Sequence, residues 1–95
     1  MNINEMLKKA KRLQAEMEVE EKEIAKKEFV VKKQGIKVVM LGTRKIKTIE
    51  ISPALIDPED PELVQDLVML AINEAIDIID EEYDELGDKY SNTSI

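Results

Sequence analysis

The chain contains neither cysteine nor histidine, and its 95 residues include two tyrosines, one phenylalanine and no tryptophan. Without cysteine, neither a disulfide nor a thiolate metal site can form. Without histidine, the commonest general base and metal ligand is missing as well. No apolar run is long enough to be typical of a signal peptide or a membrane span. We therefore expect a soluble intracellular protein without a membrane segment, whose core is aliphatic.

Catalytic and metal-binding patterns are missing too. Ser52 and Thr48 have no histidine to activate them, and no glycine-rich phosphate loop is present. The acidic stretches at residues 57–60 and 80–82 lack the glycine and the alternating spacing of a calcium loop, so we interpret them as solvated surface. We expect no enzyme activity, no small-molecule substrate, no cofactor and no metal.

Charge is divided unevenly along the chain. Residues 1–51 hold 13 Lys/Arg and 8 Asp/Glu, a net charge of +5, whereas residues 52–95 hold 1 Lys and 13 Asp/Glu, a net charge of −12. The sum is −7. Such asymmetry indicates either a polyanionic partner for the basic half or simply a solvated acidic helix in the second half.

One long amphipathic helix is predicted over residues 2–27, which contain no glycine or proline. Its apolar positions step by three and four residues, as in a heptad seam that Glu20 interrupts once. Basic side chains occupy the opposite flank. The seam comprises Ile3, Met6, Ala10, Leu13, Met17 and Ile24.

Three short strands are predicted next, at residues 28–34, 36–41 and 46–51, with Gln34 and Gly35 supplying the tight turn between the first two. Both faces of the predicted sheet are apolar, so something should cover each of them. We expect Ile36, Val38 and Met40 to oppose Val39 and Leu41, and Ile49 and Ile51 to lie in the core and to oppose Ile46 and Thr48.

A second helix is predicted from Pro61 to Leu86. Asp60 suits its N-cap, Pro61 its first turn and Gly87 its end. The chain then forms one domain over residues 1–87 and a short polar tail over residues 88–95. A helix of about 25 residues spans roughly 37 Å, whereas a six-residue strand spans about 20 Å. Helices that overhang the sheet in this way favour a homodimer.

The order of these elements and two local motifs resemble the YbaB/EbfC family of nucleoid-associated DNA-binding proteins. The motifs are Ile49-Glu-Ile-Ser-Pro-Ala-Leu55 and Asp66-Leu-Val-Met-Leu-Ala-Ile-Asn-Glu-Ala75, and the resemblance covers residues 3–86. It implies an α+β fold, an α-β-β-β-α protomer with a three-stranded antiparallel sheet that dimerises through the sheets, with helices protruding like tweezer arms. It also implies non-enzymatic binding of double-stranded DNA with little sequence selectivity, in the cytoplasmic nucleoid, with effects on nucleoid organisation or gene expression.

Two basic clusters are candidate DNA contacts. On the first helix, Glu5 and Glu16 are the only acids within helical reach of the first cluster, whereas the helix's second half contains favourable Glu18–Lys22 and Glu23–Lys27 spacings. Unpaired cations can displace counterions from phosphates without reading bases. Each cluster also has an ordinary interpretation, as a solvated helix face or as protection against sheet-edge aggregation. The first cluster is Lys8, Lys9, Lys11 and Arg12, and the second is Arg44, Lys45 and Lys47.

A different class of function stays open at this point. Two helical arms on a sheet platform could grip a protein client in a chaperone-like way, and the acidic half of the chain would suit a basic protein. Aromatic residues are too scattered for a base-stacking platform, and no helix-turn-helix or zinc pattern is present, so sequence-specific readout is not expected.

Overall fold

The computed structural model describes residues 2–91. Along the chain it comprises α1 (Ile3–Lys26), β1 (Glu28–Lys33), β2 (Ile36–Leu41), β3 (Ile46–Ile51), a 3-10 turn (Pro53–Leu55) and α2 (Pro61–Ser91). The strands form one antiparallel sheet in the order β1-β2-β3. This confirms the predicted α-β-β-β-α arrangement. No helix within the described residues is long and apolar enough to cross a membrane.

A two-residue turn joins β1 to β2. Gln34 and Gly35 both have positive φ, 47° and 93°, as a tight hairpin turn requires. The hairpin is regular, and Lys33 pairs with Ile36 across the turn. Glycine at position 35 makes this geometry accessible at little steric cost, so the sequence prediction for the hairpin is confirmed.

The pairing of β2 with β3 contains an irregularity that the sequence does not reveal. Val38 pairs with Ile49 and Val39 with Thr48, but Met40 pairs with Ile46, because the register shifts between Val39 and Met40. The extra residue in β3 returns Ile46 to the face that carries Ile49. The prediction that Ile46 opposes Ile49 and Ile51 is therefore wrong, since strict alternation holds only in a strand without a bulge.

One face of the sheet is covered by α2. The helix packs on β1 and β2, and its residues Ala71, Ala75 and Ile79 have no exposed surface. The two alanines let the helix approach the sheet closely. The buried strand residues of this core are Phe29, Val31, Ile36, Val38 and Met40.

β3 lies outside this cover. Ile49 and Ile51 share a face with the core strands but are 40% and 37% exposed, so their predicted place in the core is wrong for a single chain. A groove of about 560 Å³ runs between Ile51 and the flank of α2 at Val64, Val68 and Ile72. On the opposite face of the sheet, Val30 is 51% exposed, whereas Val39 of the central strand is buried at 8%.

The second helix begins at Pro61 as predicted but continues through Gly87 to Ser91. The prediction that Gly87 ends the helix is wrong. Glycine weakens a helix by only about 1 kcal/mol, and contacts that residues 89 and 90 make with α1 offset this cost. Of the predicted tail, residues 88–91 are helical, and residues 92–95 lie outside the described residues.

Gly42 joins α1, the sheet and α2. Its N–H donates to the Lys27 carbonyl at 3.0 Å, and its own carbonyl accepts from the Tyr83 hydroxyl at 3.0 Å. A Cβ at this position would lie 1.8 Å from the Ile24 carbonyl oxygen. Only glycine allows the turn before β3 to approach the end of α1 this closely.

Candidate nucleic-acid interface

The two helices run antiparallel where they meet. Lys27 Nζ lies 2.7 Å from Glu82 Oε1, and Lys89 Nζ lies 2.8 Å from Glu20 Oε1. The two ion pairs lie seven residues apart on each helix, and α1 runs toward its N-terminus where α2 runs toward its C-terminus. Ser91, the last described residue of α2, therefore lies beside the middle of α1. We call residues 3–13 the N-terminal arm, because this part of α1 projects beyond Ser91.

The dimensions agree with such a projection. The chain extends over 70 Å but is only 18 Å by 13 Å in cross-section. The 31 residues of α2 account for about 46 Å at 1.5 Å per residue. The N-terminal arm supplies most of the remaining length. Its start is fixed by Asn2, whose side chain accepts from the Glu5 N–H at 2.8 Å, as an N-cap does.

The first basic cluster lies on this arm. Lys8, Lys11 and Arg12 are exposed, and Lys9 is half-buried. Arg12 Nε lies 4.0 Å from Glu16 Oε1, a loose contact between side chains that are both more than half exposed. Within residues 2–91, the three lysines form no ion pair. Their charges are therefore available to an anionic partner.

In the second half of α1, the ion pairs differ from those that the sequence predicts. Lys27 pairs with Glu82 of α2 rather than with Glu23, and Glu18 and Lys22 do not form an ion pair within the described residues. Contacts between helices thus replace the predicted contacts within α1. The sequence could not show this, because it does not specify which acids of α2 lie beside α1.

The second basic cluster is largely occupied by contacts within the chain. Arg44 donates through Nε to Asp80 Oδ1 at 2.9 Å, and its guanidinium lies 5.1 Å from the centre of the Tyr83 ring. Lys47 pairs with Glu28. Lys45 is the member of this cluster that forms no ion pair within residues 2–91. The structure therefore does not assemble the two clusters into one surface, and it leaves the second with one unpaired cation.

A polar cluster at the α1–α2 contact was not anticipated. Glu20 accepts from Lys89 and from the Tyr90 hydroxyl. These hydrogen bonds, with that from Lys89 the larger influence, lower the pKa of Glu20. The hydrogen bond to Glu20, together with desolvation, raises the pKa of Tyr90 to about 12. The signal in the sequence was Glu20 itself, an acid in an apolar seam, which indicates a polar partner across the helix pair.

Acidic side chains line the outer side of α2. Asp77, Glu81, Asp84 and Asp88 recur at helical spacing and are exposed, and they form no ion pair within residues 2–91. Within these residues, no group of three or more acids is arranged to hold a metal ion. The negative charge of this surface repels phosphate.

Comparisons of the sequence with known proteins identify its family. The sequence profile of the YbaB/EbfC DNA-binding family matches residues 1–93. The chain is 52% identical over 86 residues to a nucleoid-associated protein of Mycoplasmopsis pulmonis, covering 90% of this chain and 86% of that one. It is 45% identical over 83 residues to a nucleoid-associated protein of Lactobacillus acidophilus, covering 85% and 75%. It is 43% identical over 82 residues to one of Lactococcus lactis subsp. lactis, covering 84% and 83%. The chain belongs to the YbaB/EbfC DNA-binding family.

Proposed function

We propose that the protein binds double-stranded DNA without catalysis and with little sequence selectivity, as a homodimeric component of the nucleoid. The observation that carries this proposal is the N-terminal arm. It holds four cations on a projecting helix, three of them without an ion pair among residues 2–91. Family membership supports DNA as the partner.

The arm suits phosphate contacts more than base readout. Its cations are long, flexible side chains on one exposed helix face, and such groups gain affinity by releasing counterions. Bidentate base recognition needs donors that are held in a fixed geometry, and nothing in residues 3–13 holds these side chains so. The DNA contacts we propose are Lys8, Lys9, Lys11 and Arg12.

The second cluster has a smaller part in this proposal. Arg44 and Lys47 would have to leave Asp80 and Glu28 to reach a phosphate. Those ion pairs are exposed and therefore weak, so the residues can be recruited but are not free. Lys45 is the member of the cluster that we rank beside the arm.

A homodimer through the sheets is supported by the apolar surface around β3. Ile49 and Ile51, together with the groove beside Val68 and Ile72, form a continuous apolar area. A twofold axis would bring the same surface of a second chain onto it, as in most homodimers. Sedimentation equilibrium should give twice the mass of the chain, and Ile49→Ser with Ile51→Ser should reduce that mass to one chain.

The experiment that tests DNA binding is a salt titration. The slope of log affinity against log salt is about −0.9 per phosphate neutralised, so one arm with three to four free cations predicts a slope of about −3 to −4. Lys8→Glu with Lys9→Glu should weaken binding further and flatten the slope. Lys22→Glu with Lys26→Glu, on the second half of the same helix, is the matched control. Binding that ignores salt, or a control that weakens it equally, would refute the role of the arm.

The exposed acidic side of α2 supports a second candidate, a module that holds a basic protein client. Purification of the native protein with and without nuclease separates the two functions. Partners that are lost after nuclease treatment indicate DNA. Retention of one protein after nuclease treatment indicates the client.

A further inference from the structure

Two lysines face each other near the tip of the β1–β2 hairpin. Lys32 and Lys37 are partners across the two strands, and the next pair, Lys33 with Ile36, flanks the turn. In an antiparallel ladder the pair after the one that flanks a two-residue turn is the type whose side chains lie closest. Like charges directly opposite each other destabilise a sheet. We call Lys32 and Lys37 the hairpin pair, and an anion that contacts both would relieve their repulsion.

The acids around the hairpin pair compensate its charge only in part. Lys37 Nζ lies 3.9 Å from Glu50 Oε2, a loose contact to a carboxylate side chain that is 67% exposed. Glu74 is already bound to the neighbouring Lys33 at 2.9 Å. Within residues 2–91, Lys32 forms no ion pair. A depression of about 450 Å³, lined in part by these three lysines and Glu50, gives a phosphate group room beside them.

The hairpin pair and the arm cations lie on the same side of the molecule. Ile79 packs in the core with the sheet, and Tyr90 contacts α1. These two residues of α2 are eleven positions apart, about three helical turns, so the sheet and α1 cover the same side of α2. The hairpin pair alternates with buried residues of β1 and β2 and lies on the sheet face away from α2. Lys8 and Arg12 lie opposite the seam that faces α2, so both groups point away from the acids on the outer side of α2.

The spacing of the two groups matches one turn of DNA. Lys33, next to the hairpin pair, is level with Glu74, and Glu20 is level with Lys89. Fifteen residues of α2 separate Glu74 from Lys89, and eight residues of α1 separate Glu20 from Arg12. At 1.5 Å per residue, the two segments together span about 35 Å. One turn of B-DNA is about 34–36 Å long.

We propose that the hairpin pair is a second phosphate-binding site, which contacts the same duplex as the arm one helical turn away. The duplex then lies along the side of the molecule that faces away from α2. This inference rests on the proposed function, since it extends the DNA contact of the arm. Between the two groups the contacted strand passes around the far side of the duplex, so Lys22, near the midpoint, does not contact it. Ile49 and Ile51 lie on the other face of the sheet, so a dimer through that surface leaves the hairpin pair open.

Reversal of one charge separates DNA binding from stability. Lys32→Glu places an acid opposite Lys37, so it should raise the urea midpoint of unfolding and yet weaken affinity for a 24-base-pair duplex by about fivefold. Lys22→Glu reverses another exposed charge and is the matched control, which should weaken binding less. An affinity of Lys32→Glu within twofold of wild type, or an equal loss for Lys22→Glu, would overturn the second site.

Removal of the nearby acid gives the opposite prediction. Glu50→Gln deletes the carboxylate beside Lys37 and should tighten binding to the same duplex, because Lys37 then has no competing acid within the sheet. Fluorescence anisotropy at one salt concentration measures wild type and variant. Weaker binding by Glu50→Gln would contradict a phosphate contact at the hairpin pair.

Duplex length tests the spacing. A GC-rich duplex of 8 base pairs is about 27 Å long at 3.4 Å per base pair, too short to reach both groups. Lys32→Glu should therefore leave affinity for this duplex within twofold of wild type, because the arm alone holds it. An equal loss on the short and the long duplex would overturn the one-turn arrangement.

The arm variant distinguishes this inference from the proposed function. Wild-type protein that binds no duplex at low salt would overturn the proposed function and this inference with it. Salt-dependent binding that falls with Lys8→Glu and Lys9→Glu but not with Lys32→Glu would overturn the second site and leave the proposed function standing.

Discussion

Replacement of Gly42 by alanine should destabilise the protein far more than the addition of one methyl group suggests. The added Cβ would lie 1.8 Å from the Ile24 carbonyl oxygen and 2.9 Å from the Ala25 Cα. Contacts between heavy atoms are ordinarily at about 3.5 Å. Both close atoms belong to backbone, so no rotation of a side chain can relieve the clash, and the end of α1 must move away from the turn before β3.

The cost follows from what this movement breaks. The Gly42 N–H bond to Lys27 and the Tyr83 bond to the Gly42 carbonyl, both at 3.0 Å, contribute about 1 kcal/mol each. Lost packing around Ile24 adds about 1–2 kcal/mol. Alanine also restricts the unfolded chain, which returns about 0.5 kcal/mol. The free energy of unfolding should fall by about 2.5–3.5 kcal/mol.

Gly87→Ala is the matched control. Apart from the adjacent residues and the backbone of the same helix, no atom of the described residues lies within 4 Å of a Cβ at this position. The residue lies inside α2, so alanine should stabilise the helix by about 0.5–1 kcal/mol. Urea unfolding followed by circular dichroism measures both variants against wild type at one protein concentration. A loss of less than about 1 kcal/mol for Gly42→Ala, or a loss for Gly87→Ala, would refute this interpretation of the two glycines.

Three further outcomes are expected. Arg44→Ala should keep the DNA affinity within about twofold of wild type, because this side chain is bound to Asp80. Fluorescence anisotropy with a labelled duplex measures the affinity, and a large loss would show that Arg44 contacts DNA. In a Tyr83→Phe background, absorbance titration should give Tyr90 a pKa of about 12. The stabilisation from its contact with Glu20 is therefore complete below about pH 10 and is lost as the pH rises toward 12. Glu20→Gln should lower the pKa of Tyr90, and an unchanged pKa would contradict the contact. The plot of log affinity for DNA against log salt concentration should flatten near 10 mM, because the Debye length of about 30 Å at this concentration lets the acids of α2 repel DNA at the arm. A straight line would show that the acids of α2 do not affect binding at the arm.

The sequence predicts those parts of the fold that local chemistry determines. Apolar periodicity indicated both helices, and Gln34-Gly35 indicated the hairpin, because these signals lie within a few residues of one another. The bulge in β3 and the exposure of Ile49 depend on how a strand lies relative to a distant helix. Gly87 failed as a helix end because contacts with α1, more than sixty residues away, outweigh the low helix propensity of glycine.

For the candidate site, the sequence predicts which residues are basic but not which of them are free of ion pairs. All seven basic residues were visible in the sequence, but their availability depends on where the acids of α2 lie in space. α2 provides Asp80 beside Arg44 and Glu82 beside Lys27. Its described part runs to Ser91 and does not reach the arm, and within residues 2–91 Lys8 and Lys11 form no ion pair. The length of α2 relative to α1 thus determines which cations remain free, and no local pattern in α1 carries that information.

The same arrangement explains how a chain of net charge −7 can attract a polyanion. The outer acids of α2 occupy residues 77–88, and the arm extends from the opposite side of Ser91 by about 1.5 Å per residue. Most arm cations therefore lie farther from these acids than the Debye length of about 8 Å at physiological ionic strength. The net charge of the chain affects the approach of DNA only at distances longer than the Debye length, where salt screens it. A phosphate close to the arm meets the local field of Lys8, Lys11 and Arg12, which is positive.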